Sequence, residues 1–313
     1  MKQIAVTAAG LGVSRLGFGC APVMGKVGRR QALDAMACAF DLGVTHFDVA
    51  RSYGFGDAEA VLGRFIRGRR DHVTVTTKFG VVPPQLSLWQ RAARPIVRPL
   101  LRALAPFRAR VHRASAGLLE ARRFDVAYAR ECLAASLRQL GTDHVDFYLL
   151  HEPELDSLHG APELQRFLDE SVAAGRVRAW GFAHPVRALA GEIGGQILQF
   201  EAPANRPGLW MPAPDDPRFR FVTRPLAGGA MHDDARHAAL GARLGLDRLH
   251  LAMALADAAA GERGAIIAGM FDRAHIAQNV RAVAHCEQNR ATIRHGLTEA
   301  RRTMAGAEAR SAG

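Results

Sequence analysis

Four polar side chains, Asp48, Tyr53, Lys78 and His151, fall at or just beyond the ends of strand-like runs. Their types suit chemistry in which a cation tunes a neighbouring acid. Lysine is scarce: Lys2, Lys26 and Lys78 stand among 41 basic residues, and the other 38 are arginine. Composition alone would therefore place arginine at position 78. Arginine stays charged and cannot replace a lysine whose ammonium must tune a neighbour. Lys78 closes the β-branched run Val73-Thr74-Val75-Thr76-Thr77, and His151 closes Val145-Asp146-Phe147-Tyr148-Leu149-Leu150. Both read as side chains presented at a strand's C-terminal end.

The elements that must position them follow from periodicity. Strand-like runs occur at Arg15-Cys20, Val44-Asp48, Val73-Lys78, Val145-Leu150, Val177-Gly181, Gln196-Glu201, Arg220-Thr223 and Ala265-Ala268. Helix-like stretches lie near 29-42, 57-68, 125-140, 161-174, 185-193, 233-243, 247-260 and 273-289. Reading this as eightfold alternation predicts parallel strands with helical crossovers, an α/β chain closed as a (β/α)8 TIM barrel. No Gly-x-Gly-x-x-Gly follows an early strand, which argues against a dinucleotide-binding open sheet. No linker divides the chain, so residues 1-313 are expected to form one domain. In such a barrel the C-terminal strand ends build the site. Asp48, Lys78 and His151 sit there, and Tyr53 follows in the loop after the second strand.

Residues 81-123 break the alternation and read as a long basic insertion in the loop after strand 3. Prolines at 83, 84, 95, 99 and 106 punctuate it, yet Val97, Leu100, Leu101 and Leu104 recur at helical spacing. Arg94, Arg98 and Arg102 repeat every four residues beside them. Two readings stay open: a helix packed on the barrel rim, or a lid or docking surface for an anionic substrate or protein partner.

Composition narrows the function classes. With 49% hydrophobic residues the chain can bury a large core. Cys20, Cys38, Cys132 and Cys286 lie far apart with no CxxC and no Cys/His metal spacing, so reduced, buried thiols in the cytoplasm are expected and no metal is. The N-terminal apolar stretches are too short for a secretory segment, and no later run approaches eighteen apolar residues, so no membrane span is expected. The net charge of +11 would raise nucleic acid as a partner. Between Gly80 and Phe124, however, nine arginines face one acid, Glu120, which accounts for +8 of it. No aromatic-basic interleaving appears, and nucleic acid ranks last.

The chain resembles the aldo-keto reductases, NAD(P)H-dependent enzymes on a (β/α)8 barrel, from about Ser14 to Val283. The likeness rests on Leu16-Gly17-Phe18-Gly19, Gly43-Val44-Thr45-His46-Phe47-Asp48, Ser52-Tyr53-Gly54 with Glu59, Thr77-Lys78, Gly141-Thr142-Asp143-His144-Val145-Asp146 and Leu149-Leu150-His151. The resemblance implies a catalytic tetrad of Asp48, Tyr53, Lys78 and His151 acting on a small-molecule carbonyl or alcohol. Carbonyl reduction needs a hydride on carbon and a proton on oxygen, and Tyr53 would be the acid. Lys78 would lower the pKa of its phenol, Asp48 would orient Lys78, and His151 would polarise the substrate oxygen. Relatives that reduce conjugated carbon-carbon double bonds carry glutamate at the histidine position, so His151 favours simple aldehydes and ketones.

The resemblance also implies cofactor contacts. Gln199 matches a carboxamide-binding glutamine, and Gly181-Phe182-Ala183-His184 replaces the usual Ser-Asn pair, with His184 as a substitute. Arg224-Pro225-Leu226-Ala227-Gly228-Gly229 resembles a pyrophosphate loop, in which Pro225, Leu226 and Gly228 would lie along the cofactor. Asn279 would meet the adenine. Gly269, Met270 and His275 stand where strongly NADP-selective relatives carry Lys, Ser and Arg. Arg273 or a protonated His275 favours NADPH, while Asp272 favours NADH. A nicotinamide-binding regulatory or partner-docking subunit with little turnover is the competing function.

Overall fold

The computed structural model describes residues 1–83, 121–153, 162–183, 194–202, 212–213, 215–226 and 235–311. An antiparallel hairpin opens the chain, β1 (Gln3–Val6) with β2 (Leu11–Ser14), turning through left-handed Gly10. Eight parallel strands follow: β3 (Leu16–Gly19), β4 (His46–Asp48), β5 (Thr74–Phe79), β6 (Val145–His151), β7 (Val177–Ala183), β8 (Ile197–Glu201), β9 (Phe219–Thr223) and β10 (Gly264–Ala268). They close in chain order, with β10 pairing back onto β3. All eight barrel strands coincide with the runs expected from sequence.

The helices are α1 (Arg29–Asp41), α2 (Ala58–Ile66), α3 (Val126–Leu140), α4 (Pro162–Ala173), α5 (Ala235–Leu244), α6 (Arg248–Ala260), α7 (Arg273–Gln288) and α8 (Arg290–Ser311). Aspartates begin three of them. Asp125, Asp247 and Asp272 each accept a backbone N–H of the first turn, satisfying donors that a helix start leaves open. Helices α5 and α6 follow one another between β9 and β10, as the expected stretches 233-243 and 247-260 do, so the alternation of strand and helix is not strict there. The hairpin and α8 are additions that periodicity did not signal. The expected helix at 185-193 and most of the segment 81-123 lie outside the described residues. Of the basic segment the two ends are described. Val82 N donates to Ala121 O and Arg123 N to Gly80 O, both at 2.9 Å, so its ends meet in antiparallel pairing above β5.

Two apolar layers hold the barrel. Between strands and helices lie Phe18, Phe47, Leu62, Tyr148, Trp180, Phe182 and Met253, all buried. Inside are Phe147, Leu149, Ile197, Phe219, Phe221 and Ile267, against which the hairpin sets Ile4, Val6 and Val13. Each such side chain contributes roughly 1.5–3 kcal/mol through burial. The hairpin thus closes the N-terminal mouth and leaves the C-terminal mouth to chemistry.

A titratable residue, His46, lies among the apolar side chains of the interior. His46 stacks on Phe221 with ring centroids 4.5 Å apart, and its Nδ1 lies 2.9 Å from Thr74 Oγ1. Burial, aided by the charge of Lys78, lowers its pKa from 6.5 to about 3. A folded pKa below the unfolded one means that the neutral ring's stabilisation is complete above pH 6.5 and lost as pH falls toward 3. Between pH 7 and about pH 4.5 the native chain should lose ~3 kcal/mol more stability than a His46→Gln variant. Denaturant midpoints at the two pH values check this.

Candidate active site

The C-terminal ends of neighbouring strands bring the predicted residues together. Asp48 ends β4, Lys78 is the penultimate residue of β5, and His151 ends β6. Alternation along each strand turns these side chains toward the barrel mouth. Lys78 is 1% exposed and Asp48 3%, so neither charge could persist alone. Lys78 Nζ donates to Asp48 Oδ1 at 2.7 Å, Oδ2 at 2.8 Å and Val49 O at 3.0 Å, and it is also hydrogen-bonded to the Tyr53 side chain. Burial disfavours the ammonium, yet Asp48 and Tyr53 outweigh it and hold the Lys78 pKa above the ordinary lysine value.

Tyr53 opens the turn Tyr53–Gly56, between β4 and α2, in which Gly54 and Phe55 have left-handed rather than helical backbone. Lys78 Nζ lies 5.1 Å from its ring centroid, and the His151 ring meets it edge-on at 5.7 Å and 82°. Loss of hydration raises the Tyr53 pKa; Lys78 pulls it down, but Asp48 pushes it up again, and the net result lies above the usual value of 10.0. Lys78 acts in the expected direction, and it is the burial of the phenol, with a smaller push from Asp48, that keeps the net value above the ordinary one.

Gln199, in β8, is also drawn into this cluster. It is 1% exposed, and its Nε2 donates to Asp48 Oδ2 at 2.6 Å. The amide expected to meet a carboxamide therefore steadies the Lys78–Asp48 pair. Sequence reasoning missed Cys20, whose buried thiol stands near Asp48 and Lys78 and is pushed well up in pKa by burial. Its position one residue after the Leu16–Gly19 strand was the available signal. The thiols expected to be buried include one exception, since Cys38 is only partly buried.

The other predicted contacts form a second group. Arg224 and Pro225 follow β9, and Gly269 to His275 joins β10 to α7. Arg224 is exposed with a left-handed φ of 53° and pairs with Glu201 Oε1 at 3.5 Å. Leu226 is partly buried, and Gly269, Arg273 and His275 are exposed. The Asp272 carboxylate accepts Ala274 N at 2.9 Å and His275 N at 3.1 Å, so it serves its own helix. Asn279 turns inward; it is 4% exposed and its Nδ2 lies 3.6 Å from Met270 Sδ. His184 and Gly228 lie outside the described residues. Exposed cations after the seventh and eighth barrel strands, beside a helix N-terminus, suit the phosphates of a dinucleotide.

Comparison with known proteins agrees with this arrangement. The chain is 26% identical over 190 residues to aldo-keto reductase YhdN of Bacillus subtilis, covering 59% of this chain and 47% of that protein. It is 34% identical over 145 residues to 6-dehydroglucose reductase of Agrobacterium fabrum (45% and 39%), and 27% identical over 193 residues to NADH-specific methylglyoxal reductase of Escherichia coli (59% and 52%). The aligned segment thus spans about half or less of these curated relatives. An aldo-keto reductase of Bacillus halodurans in its holo form superposes with a TM-score of 0.68 at 22% identity, covering 90% of this chain and 91% of that one. One from Klebsiella pneumoniae in complex with NADPH does so at 0.63 and 20%, covering 91% and 90%. Those superpositions establish the barrel. A sequence model of the aldo/keto reductase family matches residues 10–188, more than half of the chain and all four of the clustered residues, and the protein belongs to that family.

Proposed function

We propose that the protein is an NAD(P)H-dependent oxidoreductase that reduces an aldehyde or ketone, with Tyr53 as general acid. One observation carries the reading: a fully engaged Lys78–Asp48 pair sits beneath a tyrosine ring whose other edge meets His151. The nicotinamide cofactor supplies the hydride when bound. Arg224, Pro225 and Leu226 after β9, with Arg273 and His275 at the start of α7, would hold its phosphates and ribose. His151 would orient the substrate oxygen toward the phenol, and Tyr53 would deliver the proton. Lys78 would steady the resulting phenolate, and Asp48 with Gln199 would keep Lys78 in place. The reverse reaction, oxidation of an alcohol or sugar, uses the same groups with Tyr53 as base.

The relatives named for 6-dehydroglucose and methylglyoxal support a small, polar carbonyl substrate, and both NADPH and NADH fit the set of residues around α7. We also place the protein in a reducing compartment, on the strength of four free cysteines. No helix among the described residues is long and apolar enough to cross a membrane. The test is a titration with NADPH and NADH, followed on the same sample by absorbance loss with aldehydes, ketones and oxidised sugars. Binding with turnover is expected. Tight binding without turnover on any carbonyl would overturn the reductase reading.

A further inference from the structure

The turn that carries Tyr53 is held in an unfavourable shape. Gly54, Phe55 and Gly56 follow it with φ of 61°, 62° and 89°, three successive left-handed residues of which one has a full side chain. Such backbone persists only where its surroundings enforce it, at about 1–3 kcal/mol for the non-glycine residue. One flank is steric, since a Cβ at Gly54 would stand 2.5 Å from Val23 O. The other flank is polar and lies behind the barrel wall.

Its centre is Glu59, in the first turn of α2 and 1% exposed. Glu59 Oε2 accepts from Arg51 Nη1 at 2.8 Å, and Oε1 accepts from Thr77 Oγ1 at 2.6 Å. Arg51 lies two residues before Tyr53, and Thr77 one residue before Lys78. Arg51 N also donates to Lys78 O at 3.2 Å. With the Gln139 amide turned so that its oxygen faces Arg51, it accepts from Nη1 at 3.1 Å and donates to Gly56 O at 2.9 Å. Both ends of the strained turn are thus tied to one buried carboxylate, which also grips the strand of Lys78.

We infer that Glu59 is a positioning residue that sets the distance and angle of Tyr53 relative to Lys78, acting through Arg51, Thr77 and Gln139. Thr77 and Lys78 project from opposite faces of β5, so Glu59 lies on the far side of the strand from substrate and acts only through these partners. The inference rests on Tyr53 being the acid. A carboxylate suits this place because it pairs with the Arg51 guanidinium in a charge-assisted bond; an amide could still bond both Arg51 and the Thr77 hydroxyl but would leave the guanidinium without its counter-charge.

The test measures steady-state kinetics across pH, cofactor binding and unfolding for Glu59→Gln and Gln139→Ala, with Tyr53→Phe as control. Glu59→Gln should lower kcat at least tenfold, because displacements of about 1 Å at a reacting group cost on the order of a hundredfold. Cofactor affinity should stay within about twofold, and the alkaline limb of the reduction profile should move upward as the ammonium's pull on the phenol weakens. Gln139→Ala leaves Glu59 paired and should show the same pattern in smaller measure; if Glu59→Gln fails to fold, this variant decides alone. Folded variants with kcat and pH profile unchanged, while Tyr53→Phe is inactive, would make Glu59 a merely structural acid and overturn the inference. Full turnover by Tyr53→Phe would overturn the acid assignment and the inference with it.

Discussion

Tyr53→Phe should lower carbonyl reduction by about a thousandfold while leaving NADPH or NADH affinity within a few-fold, since a positioned general acid contributes typically 10²–10⁴. Phenylalanine keeps the ring that meets His151 edge-on and lies over Lys78, so the geometry survives and only the proton is lost. Turnover retained in that variant would remove Tyr53 from the chemistry. The direction of the Tyr53 pKa adds a second expectation. Burial raises it above 10.0 despite Lys78, so the phenol is protonated throughout the neutral range in the cofactor-free protein. Reduction consumes that proton, so kcat/KM should stay level through neutrality and fall only above about pH 10, where the acid ionises. A fall near neutrality would show that another group supplies the proton. With Tyr53 as the proposed acid, Lys78 would matter less for ionising the phenol in the resting state than for stabilising the phenolate after transfer.

The barrel was legible because its strands are short β-branched or apolar runs, such as Val73–Thr77, separated by helical periodicity. The hairpin was not. Its residues Gln3–Ser14 are broken by Gly10 and Gly12, and only packing of Ile4, Val6 and Val13 under the barrel makes them strands. Helix α8 was missed for a related reason: Ile293 and Leu297 are spaced four apart within an arginine-rich stretch and gain their meaning from the neighbouring helices. Of the candidate site, residue types at strand ends singled out Asp48, Lys78 and His151 with Tyr53 in the following loop, the family resemblance joined them as a tetrad, and the structure brings the four side chains together. What they could not give was energetic sign. The Tyr53 pKa depends on how far burial of the phenol outweighs Lys78, and the partner of Gln199 depends on which strands meet at the mouth. Asn279 faces Met270 for the same kind of reason, because its place on α7 was readable and the side it presents was not.

The opposite end of the barrel supplies the largest stability effect. Arg15 is fully buried just before β3. Its Nε donates to Asp257 Oδ1 at 2.9 Å, its Nη2 bonds the same carboxylate, and its Nη1 bonds Gly264 O at the start of β10. Arg290, at the start of α8, donates to Asp257 Oδ1 at 2.8 Å and to Glu287 at 3.3 Å, and Lys2 of the hairpin reaches Glu287 at 3.5 Å. The Asp257 carboxylate of α6 thus joins the residue before β3 to α8, and Arg15 extends the link to β10. Burial depresses the Arg15 pKa, and Asp257 is its main compensation. Asp257→Ala would leave a desolvated guanidinium without its counter-charge, for which a loss of about 3–5 kcal/mol is expected. Denaturant unfolding checks it, and a loss within about 1 kcal/mol would mean that Glu287 alone can neutralise the cluster. Adding Arg15→Met should restore much of the deficit, because removing both charges lifts the desolvation cost that breaking the pair exposes. Since the cluster lies at the N-terminal face, the folded fraction of either variant should reduce carbonyls at the native rate, separating what holds this barrel closed from what lets it work.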